Sequence, residues 1–221
     1  MTRNNIRGEN ISDVLKKIEE ISRKDSLPSI GPIKGKIVET IIKKYKPKKI
    51  LEVGTLYGYS AILMANVLAK IKPGMWKFLN KSDVVLSKSD NKSIVVTIEI
   101  NENNHAIATQ NITYAGLSHL IEVINGDALK VIPTLDSKFD LLFLDAVKSD
   151  YLKYLKLVEM NNLVNQGYVV VADNVLIYKD EMADYLDYVR YSGKFKSRTT
   201  ETTLEFTKHV KDALEVSINV H

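Results

Sequence analysis

Oxygen-bearing side chains and a lysine lie in the second half of the sequence, in a pattern that suits metal-assisted chemistry. Asp145 and the pair Asp173-Asn174 each follow a run of apolar residues. Carboxylate and amide oxygens are the ligands that Mg²⁺ prefers, with positions left for water and substrate. Lys148 lies three residues after Asp145, and a divalent cation beside it would favour its neutral form, which suits a general base. An ordinary turn and a surface lysine are the alternatives for each stretch alone.

Acids and glycines in the first half indicate a site for a ligand with hydroxyl groups or positive charge. Gly54 and Gly58 allow a tight turn between an apolar segment and a helix. Their spacing is not that of the dinucleotide fingerprint, and Glu52 places a negative charge where a pyrophosphate would be disfavoured. Glu99 ends the next apolar segment, where an acid commonly binds ribose hydroxyls, and Asp127 is a third acid at the end of the segment after it. Helix capping is the alternative for Asp127.

The elements that position these residues alternate between strand and helix patterns. After helices over 11–21 and 33–45, we predict strands over 49–53, 94–98, 121–124, 139–144 and 168–172, separated by helices over 59–70, 102–115, 127–133 and 151–164. Beyond a helix near 180–191, segments 204–210 and 213–218 are predicted to form a hairpin that turns at Lys211-Asp212.

This alternation predicts an α/β fold with a doubly wound, mostly parallel, seven-stranded sheet and an antiparallel C-terminal edge hairpin. Residues 1–221 are expected to form a single domain, with an N-terminal helix in residues 1–30 and a polar surface insertion at 72–93. Because the carboxyl ends of parallel strands meet at one edge, the acids are expected to lie close together.

Composition excludes several other classes of chemistry. The 221 residues include no cysteine, so disulfides, thiolate nucleophiles and cysteine-based metal sites are absent. The sequence has no leader pattern and no apolar run long enough to span a membrane, so we expect a cytoplasmic protein without membrane contact. The net charge of +4 is too small to indicate nucleic-acid binding and does not exclude it.

In order and spacing, these motifs resemble those of the class I S-adenosylmethionine-dependent O-methyltransferases that require a divalent metal, and especially the catechol O-methyltransferases. The likeness extends from about residue 30 to residue 218, except for the insertion at 72–93. It is carried by residues 30–35, 52–60, 97–101, Leu144-Asp145 with Lys148 and Tyr151, 172–175, 188–190 and 204–206. The resemblance implies the Rossmann-like methyltransferase fold.

The resemblance also implies roles for individual residues. Contacts to S-adenosylmethionine would come from Ile30, Glu52, Gly54, Thr55, Gly58, Ser60, Glu99, Asp127 and Asp145, with Glu99 on the ribose and Asp127 near the adenine. The ligands of Mg²⁺, or of another divalent cation, would be Asp145, Asp173 and Asn174. Lys148 would deprotonate the acceptor hydroxyl, Asn174 would contact the acceptor, and Glu205 would bind its second hydroxyl.

The sequence departs from the catechol enzymes where their side chains wall the acceptor ring. Ala146 and Val147 replace a His and a Trp, Ser26 stands near the place of an aromatic residue, and Tyr178 near that of a proline. We therefore expect a small vicinal dihydroxy acceptor that need not be a catecholamine. Two rival functions are methylation of a hydroxylated uridine in tRNA and S-adenosylmethionine binding without catalysis. A homodimer is also considered, because members of the family are often dimers.

Overall fold

The computed structural model describes residues 10–71, 93–207 and 209–221 of the protein. Its strands are β1 (Ile50–Val53), β2 (Val95–Glu99), β3 (Ile121–Asn125), β4 (Phe139–Leu144), β5 (Val164–Ala172), β6 (Phe195–Thr203) and β7 (Lys211–Asn219). Its helices are α1 (Ile11–Asp25), α2 (Gly31–Tyr45), α3 (Tyr59–Ile71), α4 (Glu102–Tyr114), α5 (Ala128–Val131), α6 (Tyr151–Met160) and α7 (Ala183–Tyr191). The predicted insertion at 72–93 lies outside the described residues except for Ser93.

The seven strands form one sheet in the order β3-β2-β1-β4-β5-β7-β6. Strands β1 to β5 pair in parallel, whereas β7 pairs antiparallel with both β5 and β6. The predicted fold class is therefore confirmed: the sheet is mostly parallel, seven-stranded and antiparallel at its C-terminal edge.

Helices cover both faces of the sheet. Successive residues of a strand point to opposite faces, so each central strand packs against helices on both sides. In β4, Leu141 and Phe143 pack with residues of α1 to α4. Leu142 and Leu144 pack with residues of α5 to α7 on the other face. This double covering explains why the central strands read as continuous apolar runs rather than as an alternating pattern.

Local signals define several helix ends next to the site. Helix α1 begins after Asn10, whose side chain accepts a hydrogen bond from the Ser12 N–H at 3.2 Å. Helix α2 begins at Gly31 with Pro32 in its first turn, where a backbone donor is not needed. Among the described residues, no helix has the length and apolar content that a membrane span requires.

The C-terminal hairpin differs from the prediction. The first strand of the pair is β6, over residues 195–203, and residues 204–210 connect it to β7, with Thr203 opposite Lys211. The predicted turn at Lys211-Asp212 is wrong, because Asp212 lies inside β7 and is fully buried. The sequence of β6, FKSRTTETT, is largely polar because this strand forms the edge of the sheet, so it carries no apolar pattern.

Candidate functional site

The carboxyl ends of the parallel strands open into a cavity of about 770 Å³. Strand register brings these ends together, since Val53 pairs with both Ile98 and Leu144, and Leu144 pairs with Ala172. All the predicted site residues except Glu52 and Gly58 line this cavity: Ile30, Gly54, Thr55, Ser60, Glu99, Asp127, Asp145, Lys148, Asp173, Asn174 and Glu205. The geometry therefore places one continuous site at the edge that the sequence predicts.

The loop after β1 is held by the acid that ends β2. The Glu99 carboxylate accepts hydrogen bonds from the N–H groups of Thr55 at 3.2 Å and Leu56 at 2.8 Å. At Gly54 the backbone has φ +100°, and a Cβ there would overlap the backbone carbonyl oxygen of Asp145. Only glycine fits this close approach, so the loop lies tightly against the end of β4. Gly58 shapes the same loop with φ +85°, although it does not line the cavity.

Glu52 lies in β1, close to the loop, and is a fully buried acid that does not line the cavity. Neither of its carboxylate oxygens meets hydrogen-bond geometry with the described residues, although the hydroxyls of Ser60 and Thr97 are close enough to lower its pKa in part. Burial dominates and raises the pKa of Glu52 to about 8, with further contributions from the charges of Asp145 and Glu99. An unpaired buried acid next to the loop fits a ligand that brings a positive charge.

Asp127 caps a helix and lines the cavity at the same time. Its Oδ1 accepts a hydrogen bond from the Leu129 N–H at 2.9 Å, at the start of α5. The capping alternative is thus observed. Asp127 also lines the cavity, so the cap is compatible with the predicted contact to a cofactor. That contact stays a prediction.

The predicted metal ligands and the lysine lie together at the ends of β4 and β5. Lys148 Nζ donates to Asp145 Oδ1 at 3.0 Å and to the Tyr151 hydroxyl at 2.9 Å. Asp173 is buried, and burial together with the charge of Asp145 raises its pKa to about 7, although Lys34 and Lys148 act in the opposite direction. A buried carboxyl whose pKa is raised by burial and by a neighbouring negative charge belongs to a site that favours an added cation.

Lys34 and Asp212 belong to this cluster, and sequence reasoning missed both. Lys34 is only 1% exposed, and its Nζ lies 2.6 Å from Asp173 Oδ1 and 2.6 Å from Asp212 Oδ2. Asp212 Oδ2 also accepts a hydrogen bond from Asn174 Nδ2 at 2.8 Å. Burial alone would lower the pKa of Lys34, but the two carboxylates raise it above its ordinary value. The apolar segment on either side of Asp212 is the signal that could have placed it in a strand.

The donor set fits a hard divalent cation. Among the described residues, no group of three or more His, Cys, Asp or Glu side chains is arranged to hold a metal, and this cluster instead offers two carboxylates and one amide. Because Asn174 uses its Nδ2 on Asp212, its Oδ1 is the atom left for a cation. Oxygen donors of this kind suit Mg²⁺.

Glu205, which is predicted to bind the acceptor, lines the cavity at the start of α2. Its Oε1 accepts hydrogen bonds from the N–H groups of Ile33 at 2.6 Å and Lys34 at 2.9 Å, at the start of α2. Burial raises the pKa of Glu205, although these two N–H donors act against the shift. A Cβ at Gly31 would lie 2.7 Å from the Glu205 carboxyl carbon, so glycine makes room for this acid.

The residues that replace the ring-walling side chains of the catechol enzymes also line the cavity. These are Ser26, Ala146, Val147 and Tyr178. Val147 and Tyr178 are 54% and 40% exposed, so this part of the wall opens towards solvent. The ammonium group of Lys148 lies 5.9 Å from the Tyr178 ring centroid, which places that ring beside the predicted base.

The family model and the related sequences that match this chain all describe O-methyltransferases. A family model described as O-methyltransferase matches residues 86–212. The chain is 33% identical over 202 residues to mouse catechol O-methyltransferase, covering 89% of this chain and 67% of that protein. It is 32% identical over 200 residues to pig catechol O-methyltransferase, covering 88% of this chain and 95% of that protein. Against zebrafish catechol O-methyltransferase B, it spans 65% of the relative's length.

Solved structures show the same fold. The O-methyltransferase from Bacillus cereus in complex with SAH has a TM-score of 0.73 at 22% identity, covering 94% of this chain and 90% of that one. TomG from Streptomyces achromogenes, in complex with SAM, has a TM-score of 0.74 at 24% identity, covering 95% of this chain and 90% of that one.

Proposed function

Because this chain belongs to the class I S-adenosylmethionine-dependent O-methyltransferase family, we propose that it methylates one hydroxyl of a small vicinal dihydroxy aromatic acceptor with the help of Mg²⁺. The observation that carries the proposal is the cluster at the ends of β4 and β5. There Lys148 lies 3.0 Å from Asp145 and faces the same cavity as Asp173, Asn174 and Glu205.

The cofactor end of the cavity would be the loop after β1. S-adenosylmethionine supplies an activated methyl group on a positively charged sulfur, and it carries an ammonium group and a ribose diol. The buried, unpartnered Glu52 fits the positive charge. Glu99 has its carboxylate on the loop N–H groups, where ribose hydroxyls would find an acceptor. Gly54 lets the backbone approach closely, and Ile30, Thr55 and Ser60 complete the surface.

The metal end would use Asp145, Asp173 and Asn174. A bound Mg²⁺ supplies Lewis-acid activation of a chelated hydroxyl and fixes its orientation. The chain's contribution is to hold the three oxygen donors. Lys34, which lines the cavity, and Asp212, which does not, hold Asp173 and Asn174 with contacts of 2.6 to 2.8 Å.

Lys148 is the proposed general base. It lines the cavity, its side chain is only 13% exposed, and it is oriented by Asp145 and the Tyr151 hydroxyl. In the overall reaction, one hydroxyl oxygen would bond to the methyl carbon as the methyl–sulfur bond breaks, with the bonding electrons left on sulfur. Lys148, in its neutral form, would take up the proton of that hydroxyl at Nζ. Two backbone N–H groups at the start of α2 fix the position of the Glu205 carboxylate. From this position, Glu205 would accept a hydrogen bond from the second hydroxyl.

A methyl-transfer screen tests this proposal. The acceptors are a catechol, the matched monophenol, and tRNA with or without a hydroxylated uridine. We expect methylation of the catechol alone. Lys148→Met should abolish transfer, whereas Lys153→Met, on the exposed face of α6, should keep the wild-type rate.

Two results would overturn the proposal. Methylation of the hydroxylated tRNA with none of the catechol would favour the nucleic-acid function. Binding of S-adenosylmethionine with no transfer to any acceptor, in both the wild type and Lys148→Met, would favour a binding protein without catalysis.

A further inference from the structure

The rim of the cavity carries a cation that the proposed reaction does not use. Arg23, in the last turn of α1, lines the cavity and is exposed. The two lysines that line the cavity are already engaged by carboxylates: Lys34 by Asp173 and Asp212, and Lys148 by Asp145. Within the described residues, no carboxylate oxygen lies within 4.0 Å of the Arg23 guanidinium. Arg23 is thus a charged donor on the rim of the cavity that makes no ion pair with the described residues, although Glu19 and Glu20 lie near it on the outer side of α1.

An aromatic ring holds Arg23 at this place. The guanidinium carbon lies 5.6 Å from the centroid of the Phe206 ring, which is a cation–π contact. Phe206 adopts φ +60°, a left-handed conformation that is rare for a bulky side chain. Such strain persists where the surrounding structure requires it, and it is often found in binding sites.

The Arg23–Phe206 pair has a fixed relation to the proposed hydroxyl-binding acid. Phe206 follows Glu205 directly, and Glu205 is held at the start of α2 by two backbone hydrogen bonds of 2.6 and 2.9 Å. An acceptor ring that presents a hydroxyl to Glu205 would therefore share the cavity with the pair. The guanidinium is the group in that cavity that a negatively charged substituent on the ring would seek.

From these observations we propose that Arg23 and Phe206 form a subsite for an acidic substituent of the acceptor, so that the enzyme selects dihydroxy aromatic acids. This inference rests on the proposed function. The guanidinium would donate hydrogen bonds to a carboxylate, a geometry for which arginine is well suited. Phe206 would cover one face of the guanidinium, and so reduce its hydration and keep its orientation.

The alternative is a preference for acceptors with a positively charged substituent. It would rest on Glu181, which also lines the cavity and is exposed. An acceptor with an amine substituent would pair with Glu181 and would be repelled by Arg23. The two preferences can therefore be separated by acceptors that differ only in the charge of one substituent.

The test compares kcat and KM for 3,4-dihydroxybenzoate, its neutral amide and 3,4-dihydroxybenzylamine. We expect the benzoate to have the lowest KM. Arg23→Met should raise the KM for the benzoate roughly tenfold or more, the range of a lost charge-assisted hydrogen bond, and should leave the amide within about twofold. Lys24→Met, an exposed neighbour that does not line the cavity, should change none of the three.

Failure of this inference can be told apart from failure of the proposed function. An unchanged KM for the benzoate in Arg23→Met, or a preference for the amine that this variant does not alter, would overturn the subsite while catechol methylation stands. Absence of methyl transfer to all three compounds by the wild type would overturn the proposed function and this inference with it.

Discussion

Replacing Glu52 by glutamine should remove a pH-dependent cost of folding. Burial raises the pKa of this carboxyl from 4.5 to about 8. The folded protein therefore binds the proton more tightly than the unfolded chain. The contribution of Glu52 to the free energy of unfolding is therefore fully present below pH 4.5 and is lost as the pH rises through 8. The shift corresponds to roughly 5 kcal/mol at most, because one pKa unit is worth about 1.4 kcal/mol.

The assay is urea unfolding of both proteins at pH 5, 7 and 9, followed by circular dichroism. Glutamine has the same shape and does not titrate. Glu52→Gln should therefore lie within about 1 kcal/mol of the wild type at pH 5 and exceed its free energy of unfolding by several kcal/mol at pH 9. Glu201→Gln, on the exposed edge strand β6, controls for the loss of one charge. A difference between wild type and Glu52→Gln that stays constant with pH would refute the reasoning.

The same variant tests the proposed cofactor contact. At pH 8, S-adenosylmethionine brings a positive charge that favours the ionised form of Glu52. Added S-adenosylmethionine should therefore raise the unfolding midpoint of the wild type clearly more than that of Glu52→Gln. Equal stabilisation of the two proteins would mean that Glu52 does not contact the bound cation.

Three further predictions concern residues around the cavity. Lys34→Met should lower the free energy of unfolding in urea by about 3–5 kcal/mol, because it leaves two buried carboxylates without their cation; a loss below about 1 kcal/mol would contradict this. Gly54→Ala should abolish S-adenosylmethionine binding in calorimetry, because its Cβ overlaps the backbone of Asp145, whereas Gly116→Ala, with open space around it, should bind normally. Asp127→Ala should cost about 1 kcal/mol of stability through the lost cap, and a simultaneous fall in cofactor affinity would support its second role.

The location of the site could be predicted because it depends on the topology of the fold. In a parallel doubly wound sheet, residues that follow the strands meet at one edge. Gly54, Glu99, Asp145 and Asp173 each follow or end an apolar run, so their order along the chain was enough to bring them together. The apolar runs were long and uninterrupted because helices cover both faces of the sheet.

The residues that hold the proposed metal ligands could not be predicted in the same way. Lys34 is a buried cation on a helix, and its two partners are 139 and 178 residues away in sequence. No local pattern identifies such a pairing. Strand β6 lacks an apolar pattern because it lies at an exposed edge. The predicted hairpin therefore begins too far towards the C-terminus. The prediction places Asp212 in its turn, whereas Asp212 occupies a buried position in β7.

The most direct test of the central claim is the metal dependence of methyl transfer. The protein is treated with EDTA, dialysed, and assayed with S-adenosylmethionine and 3,4-dihydroxybenzamide, before and after addition of Mg²⁺. The arrangement of Asp145, Asp173 and Asn174 predicts no transfer after EDTA treatment and full recovery with Mg²⁺. It also predicts no recovery when both acids are replaced in Asp145→Asn/Asp173→Asn. Transfer at the wild-type rate after EDTA treatment would contradict the account.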